Sequence, residues 1–351
     1  MSVINRLIYT SEIINQGFST HLLEIKFSNN IEQLRRLNIR KIYQFIKLVI
    51  NLIKSIRSIR PDIIYFSLMP VGKGLLRDMF FVAVIKWYKV TPVYHLHNKG
   101  IKRNSKIWIL RKLYEYIFRG SYIIHLSRNL YEHETSRLKL KNCKFRIIPN
   151  GISLFKHIEA EKQDSVINLL YLSNLFPQKG IIDLIEIYRI LVKKLPDIRL
   201  SVVGGFPYRK THRQVVNLIK KFNLEDKILF KGPKYGRQKA REYKQADIFV
   251  YPTTFRQECF PLVILEAMQS GLPIFASDEG AISEIIDNCV NGIVLQNWTA
   301  ESFSAEIEFL IKDETLRSKL GENARKTFRE FYTVNTLEQN MRNFFKEEFL
   351  K

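Results

Sequence analysis

Short apolar runs alternate with longer amphipathic stretches along most of this chain. In the first half, DIIYFS (62–67), TPVYHLH (91–97), YIIHLS (122–127) and FRIIPNG (145–151) have the length and β-branched content of buried strands. Between them lie stretches such as KIYQFIKLVINLIKSI (41–56), whose apolar residues recur at helical spacing. The second half repeats the pattern with INLLYLSN (167–174), IRLSVVGG (198–205), KILFKG (227–232), DIFVYP (247–252), PIFAS (273–277) and GIVL (292–295). Strand and helix in alternation, twice over, predict an α/β protein of two Rossmann-like, doubly wound domains. HIEAEKQDS (157–165) is polar and aperiodic and reads as the joint. The expected division is therefore 1–156, 157–333, and a C-terminal helix over 334–351 that packs back on the first domain. The opening VINRLIYTSEII (3–14) reads as the helix that should follow a first strand, so the first domain is expected to lack that strand.

One stretch concentrates candidate chemistry. In FRQECFPLVILEAMQSGLPIF (255–275), Pro261 suits a helix start and Gly271 with Pro273 a stop, which predicts a helix over Pro261–Ser270 between two strands. A helix start at the carboxyl end of a strand offers free N–H groups and a positive dipole end, both suited to phosphate. Glu266 lies five residues into that helix, roughly 7 to 8 Å along its axis, about the span from a diphosphate to a ribose. Glu258, in the loop ahead, is placed to meet whatever group the diphosphate carries.

Composition narrows the partners. With 351 residues, 46% hydrophobic, the chain can form two cores of ordinary size. Cys143, Cys259 and Cys289 have no metal-type spacing and are too few for a disulfide framework, which points to a reducing compartment. No apolar run approaches the roughly 20 residues that cross a bilayer. The net charge of +22 is unevenly spread: residues 1–150 hold 27 basic and 8 acidic residues, and residues 151–351 hold 29 and 26. An anionic partner is expected for the first half alone, a membrane surface or nucleic acid. Because KGIKRNSKIWILRKLYEYIFRG (99–120) interleaves Lys and Arg with apolar and aromatic residues, and no nucleic-acid-binding signature is present, an anionic membrane is preferred to nucleic acid. The basic residues there are assigned to lipid and the apolar ones to the core.

Six ordered motifs of the second half carry a family resemblance: IPNGI (148–152), LSNLFPQKG (172–180), VVGG (202–205), ADIFVYPT (246–253), the glutamate pair in ECFPLVILEAM (258–268), and SDEGAISEII (277–286) with NG (291–292). Together they resemble the retaining glycosyltransferases of family 4, of GT-B architecture, in which two Rossmann-like domains face a cleft. VYHLHNKG (93–100) and PDIIYF (61–66) more loosely resemble members that build bacterial surface polysaccharides. The resemblance implies transfer of a sugar from a nucleotide diphosphate sugar to a hydroxyl, with retention, onto a lipid-linked glycan acceptor at the inner face of the cytoplasmic membrane. It implies Glu258 on the donor sugar, Glu266 on the ribose, Lys179 on the diphosphate, and the amides of Phe260 and Leu262 as donors to diphosphate or sugar. Gly205 would admit close approach of the ligand. His97, at the end of VYHLH, would stand near the reacting carbon, with His95 as the alternative. Where the family often has an arginine beside the diphosphate this chain has Asn174, which leaves more of the charge to Lys179. No metal and no other cofactor is expected. A non-catalytic sugar-nucleotide binder in a polysaccharide assembly complex is the rival reading.

Overall fold

The computed structural model describes residues 3–24, 39–155 and 166–350; the stretch 157–165 lies outside the described residues. Two compact units result, one of residues 1–149 with 337–351 and one of residues 150–336.

The first unit is built on β1 (Ile63–Ser67), β2 (Thr91–Leu96), β3 (Tyr122–His125) and β4 (Lys144–Ile147), parallel and in that order. In-register residues alternate between faces: Phe66, Tyr94 and Ile123 line one, and Tyr65, Val93 and Tyr122 the other. Because each strand steps the same way along the sheet, right-handed crossovers place the connecting helices on one face. Accordingly Leu48, Leu52 and Ile56 of helix Ile39–Ile59, Phe81 and Ile85 of helix Gly72–Trp87, and Tyr114 and Phe118 of helix Trp108–Phe118 pack with Phe66, Tyr94 and Ile123. The opposite face is covered from both ends of the chain. Ile8 of helix Val3–Thr10, Ile14 of helix Glu12–Asn15, and Leu337, Met341, Phe344 and Phe345 of helix Val334–Phe349 enclose Val93, Ile124 and Ile148. The opening stretch read as one helix is two, because the Ser11 side chain accepts a hydrogen bond from the Ile14 amide and starts a new one. Among the described residues no strand precedes β1.

The second unit holds β5 (Ile167–Leu172), β6 (Ile198–Val203), β7 (Ile228–Gly232), β8 (Ile248–Tyr251), β9 (Ile274–Ser277) and β10 (Ile293–Leu295), all parallel, in the order β10-β9-β8-β5-β6-β7. Successive strands run outward from β5 in one direction, then restart beside it at β8 and run the other way. The strand order therefore reverses between β5 and β8, and ligands of such sheets bind outside the carboxyl ends of the strands at that reversal.

Candidate functional site

Two loops leave the sheet at the reversal, and each carries a predicted site residue. After β5 the chain makes a 3-10 turn over Pro177–Lys179 and enters helix Ile181–Lys194 through Gly180, whose φ of 88° is left-handed. A Cβ at Gly180 would stand 2.0 Å from the Pro252 carbonyl oxygen, so only glycine lets this turn press against the end of β8. The Tyr171 hydroxyl donates to the Lys179 carbonyl at 2.8 Å, and the Thr254 amide donates to the Gln178 carbonyl at 2.9 Å, which locks the two loops together. This brings the Lys179 ammonium onto the Glu258 carboxylate as an ion pair. Glu258 Oε2 also accepts from the Tyr251 hydroxyl at 2.7 Å, and Lys179 Nζ lies 3.1 Å from that hydroxyl and 4.7 Å from the Phe255 ring centre. Both charged side chains are largely out of water. Burial, and then the Glu258 charge, push the Tyr251 phenol far above its ordinary range, so it stays a protonated donor.

Glu266 belongs to a separate cluster. The helix runs Leu262–Ser270, with Pro261 at its N-cap in an extended conformation (ψ 109°) rather than inside the first turn, as the sequence suggested. No side chain caps this start. Phe260 is buried and Leu262 is exposed, so the amides on either side of Pro261 stand at the border between core and solvent. One turn on, Glu266 Oε1 is ion-paired with Lys239, and Oε2 accepts from the Tyr243 hydroxyl at 3.0 Å. Lys239 and Tyr243 lie four residues apart on helix Gly236–Lys244, hence on one face. Sequence reasoning missed both. Their signal was that i,i+4 spacing on a helix directly preceding β8.

The loops after β5 and β6 meet where the Leu175 amide donates to the Gly205 carbonyl at 3.0 Å. Asn174 is exposed beside them. The glycine requirement falls on the neighbour of the residue singled out: a Cβ at Gly204 (φ 146°) would stand 1.8 Å from the Ser173 carbonyl oxygen, whereas one at Gly205 would meet nothing within 4 Å.

His97 lies in the first unit, just beyond β2, and its ring is tilted by 33° against that of His95, with centres 4.0 Å apart. His95 is fully buried and shares a 2.6 Å hydrogen bond between Nδ1 and the Tyr65 hydroxyl; His125, at the end of β3, accepts from the Leu126 amide at Nδ1. The Nε2 atoms of all three imidazoles are buried without a hydrogen-bond partner. Burial holds all three neutral, lowering His97 to about 4; burial and then repulsion from His97 lower His125 to about 3, and burial and then repulsion from both neighbours lower His95 well below its usual value.

Comparison with known proteins bears on the second unit first. Residues 155–327 match the family model described as "Glycosyl transferases group 1". Most of this unit therefore resembles a group 1 glycosyl transferase domain. The chain as a whole shares the GT-B architecture: a Rickettsia africae glycosyltransferase superposes with a TM-score of 0.74 at 20% identity, covering 89% of this chain and 83% of that one. Anabaena HepE in complex with UDP-glucose gives 0.69 at 20%, covering 86% and 82%. At such identities the likeness is one of fold. Among curated relatives, the capsular polysaccharide biosynthesis glycosyltransferase CapM of Staphylococcus aureus is 27% identical over 192 residues, 52% of this chain and 46% of CapM. The chain spans about half the length of the curated relatives it matches. The matched segment contains both clusters, Lys179–Glu258–Tyr251 and Glu266–Lys239–Tyr243, while the three histidines lie outside it.

Proposed function

We propose that the chain transfers a sugar from a nucleoside diphosphate sugar to an acceptor hydroxyl, with retention at the anomeric carbon, in the assembly of a surface polysaccharide. The observation that carries this reading is the meeting of Lys179 and Glu258 at the strand-order reversal of a group 1 domain, beside an uncapped helix start. The bond from the anomeric carbon to the diphosphate breaks and one to the acceptor oxygen forms, while the acceptor proton passes to the departing phosphate. Negative charge grows on the diphosphate as it leaves. Lys179 and the helix start at Leu262 oppose that charge from fixed positions, so they stabilise the transition state more than the bound donor. Glu258 is assigned to the sugar hydroxyls and Glu266 to the ribose, with His97 in the first unit near the reacting carbon.

Two similar proteins support the substrate class: CapM acts in capsule biosynthesis and HepE was captured with UDP-glucose. A lipid-linked glycan acceptor fits a first unit with a strong basic excess, and Lys102, Arg103, Lys106, Arg111 and Lys112 would face anionic headgroups at the inner face of the membrane. The apolar residues of that segment are not all core: Tyr114, Ile117 and Phe118 are buried, but Ile107, Trp108, Ile109 and Tyr116 are exposed. Among the described residues no helix is long and apolar enough to cross a membrane. Release of nucleoside diphosphate from a panel of UDP-, GDP- and ADP-sugars, with and without acceptor, tests the activity. Glu266→Ala should weaken free nucleoside diphosphate and intact donor alike, by about 1.5 to 3 kcal/mol for a lost charge-assisted hydrogen bond. A folded variant that binds both ligands as the parent does refutes the ribose assignment.

A further inference from the structure

The outer surface of the helix layer in the first unit is unusually apolar. On helix Ile39–Ile59, Tyr43 (65% exposed), Ile46 (51%) and Ile50 follow one another at i, i+3 and i+7 along one stripe. On helix Gly72–Trp87, Leu76 (59%), Phe80 (58%) and Trp87 (83%) form a second stripe at i, i+4 and i+11. The stripes are neighbours, because the Phe45 and Phe80 rings meet edge to face with centres 5.3 Å apart and Arg57 Nε donates to the Tyr88 hydroxyl at 2.8 Å. Side chains of this size, side by side on two helices, make a patch of the kind that marks an interaction site.

The charges around the patch identify what covers it. Helix Ile39–Ile59 contains no acidic residue. Helix Gly72–Trp87 contains one, Asp78, which is fully buried, paired with Arg77 and accepting the Met69 amide, so it is absent from the surface. Lys47, Lys54 and Lys73 are exposed on these helices. A second copy of the chain docking here by two-fold symmetry would set these lysines against one another. A surface both negative and apolar beneath has no such conflict. Large apolar side chains sunk to the acyl boundary, with lysines at headgroup level, are the composition of an interfacial helix.

We propose that the helix pair 39–59 and 72–87 is a bilayer-insertion surface for anionic lipid, with Tyr43, Ile46, Leu76, Phe80 and Trp87 entering the interface. It rests on the membrane location proposed above and places the apolar contact on these two helices, beside the basic segment 99–120, whose Tyr116 ring and Arg119 carbonyl meet Lys86. The donor site in the group 1 domain takes no part in it.

The test uses the full chain with Trp108→Phe and Trp298→Phe, which leaves Trp87 as the sole tryptophan. On mixing with phosphatidylcholine–phosphatidylglycerol vesicles, Trp87 emission should shift to the blue and be quenched by brominated acyl chains. Leu76→Asp with Phe80→Asp, both at exposed positions, should lower vesicle partitioning by about tenfold or more, since each apolar side chain loses its burial. Circular dichroism checks the fold, and titration with UDP checks that the donor site is unchanged. Trp87 emission unmoved in vesicle-bound protein overturns the proposal, as does full partitioning of the double variant. A dimer in sedimentation velocity that the same substitutions abolish also overturns it, in favour of a second copy. Failure of these arms with transfer to a soluble acceptor intact separates this inference from the reading of the activity.

Discussion

Glu258→Gln should tighten binding of a free nucleoside diphosphate while impairing transfer from the intact donor. The ammonium assigned to the diphosphate is engaged within the protein: Lys179 pairs with Glu258, and the Tyr251 hydroxyl holds the same carboxylate oxygen. A diphosphate reaching Lys179 must compete with that carboxylate and bring more negative charge close to it. Gln keeps the shape and an acceptor for Tyr251, removes the charge, and leaves Lys179 in place against the Phe255 ring at 4.7 Å. A hydrogen bond to a charged group contributes about 1.5 to 3 kcal/mol, so releasing it at the low end gains about tenfold in Kd. Calorimetric titration with UDP and with a UDP-sugar, parent against variant, measures both arms. The donor should lose what the diphosphate gains, because the sugar hydroxyls face an amide where they had a carboxylate. Unchanged or weaker UDP binding in a folded Glu258→Gln variant would falsify the idea that Lys179 is shared between carboxylate and diphosphate.

Two further predictions concern the scaffold. Gly204→Ala should cost several kcal/mol or prevent folding, since its Cβ would overlap the Ser173 carbonyl oxygen at a φ of 146°, while Gly205→Ala should change the urea midpoint little; equal effects would contradict the placement of the β6 loop. The first unit should lose stability as pH falls from His97's usual value of 6.5 to about 4: there the unfolded chain takes up a proton that the folded ring refuses, a loss of about 3 kcal/mol for His97 alone. His97→Gln should flatten this slope in urea melts, and a parent profile already flat between those pH values refutes the burial argument.

Much of the architecture was legible because parallel strands covered on both faces read as apolar runs. Each of the ten predicted runs overlaps a strand, and the errors are at their ends: FRIIPNG was read through Gly151, but β4 stops at Ile147, and YIIHLS was read through Ser127, but β3 stops at His125, and Ser127 caps the next helix. What the sequence concealed was pairing. Gly204 and Gly205 are indistinguishable as letters, and only the approach of the Ser173 carbonyl, from the loop after β5, makes the first obligatory. Tyr43 sits in a helix whose opposite face is core, so its apolar character was absorbed into the expected buried stripe. Periodicity reports that a helix has an apolar side, and it says nothing when the other side is apolar as well.

The same limit applies to the two glutamates. As letters, Glu258 and Glu266 differ only in lying before and within one helix, and helix geometry assigned them to opposite ends of a ligand. In the structure each already holds a lysine and a tyrosine hydroxyl, recruited across the sheet from the β5 loop and β8 in one case and from helix Gly236–Lys244 in the other. Buried carboxylates without such partners would carry a heavy desolvation cost, so the pairs let the protein keep both charges out of water. On the proposed assignments, donor binding would be an exchange of partners. Lys179 would trade a carboxylate for a diphosphate, while Glu258 would trade Lys179 for sugar hydroxyls. A free diphosphate would complete only the first half and leave Glu258 without its counter-ion. Intact donor would complete both, which would give the pair a physical means of preferring the sugar-bearing substrate over its own product.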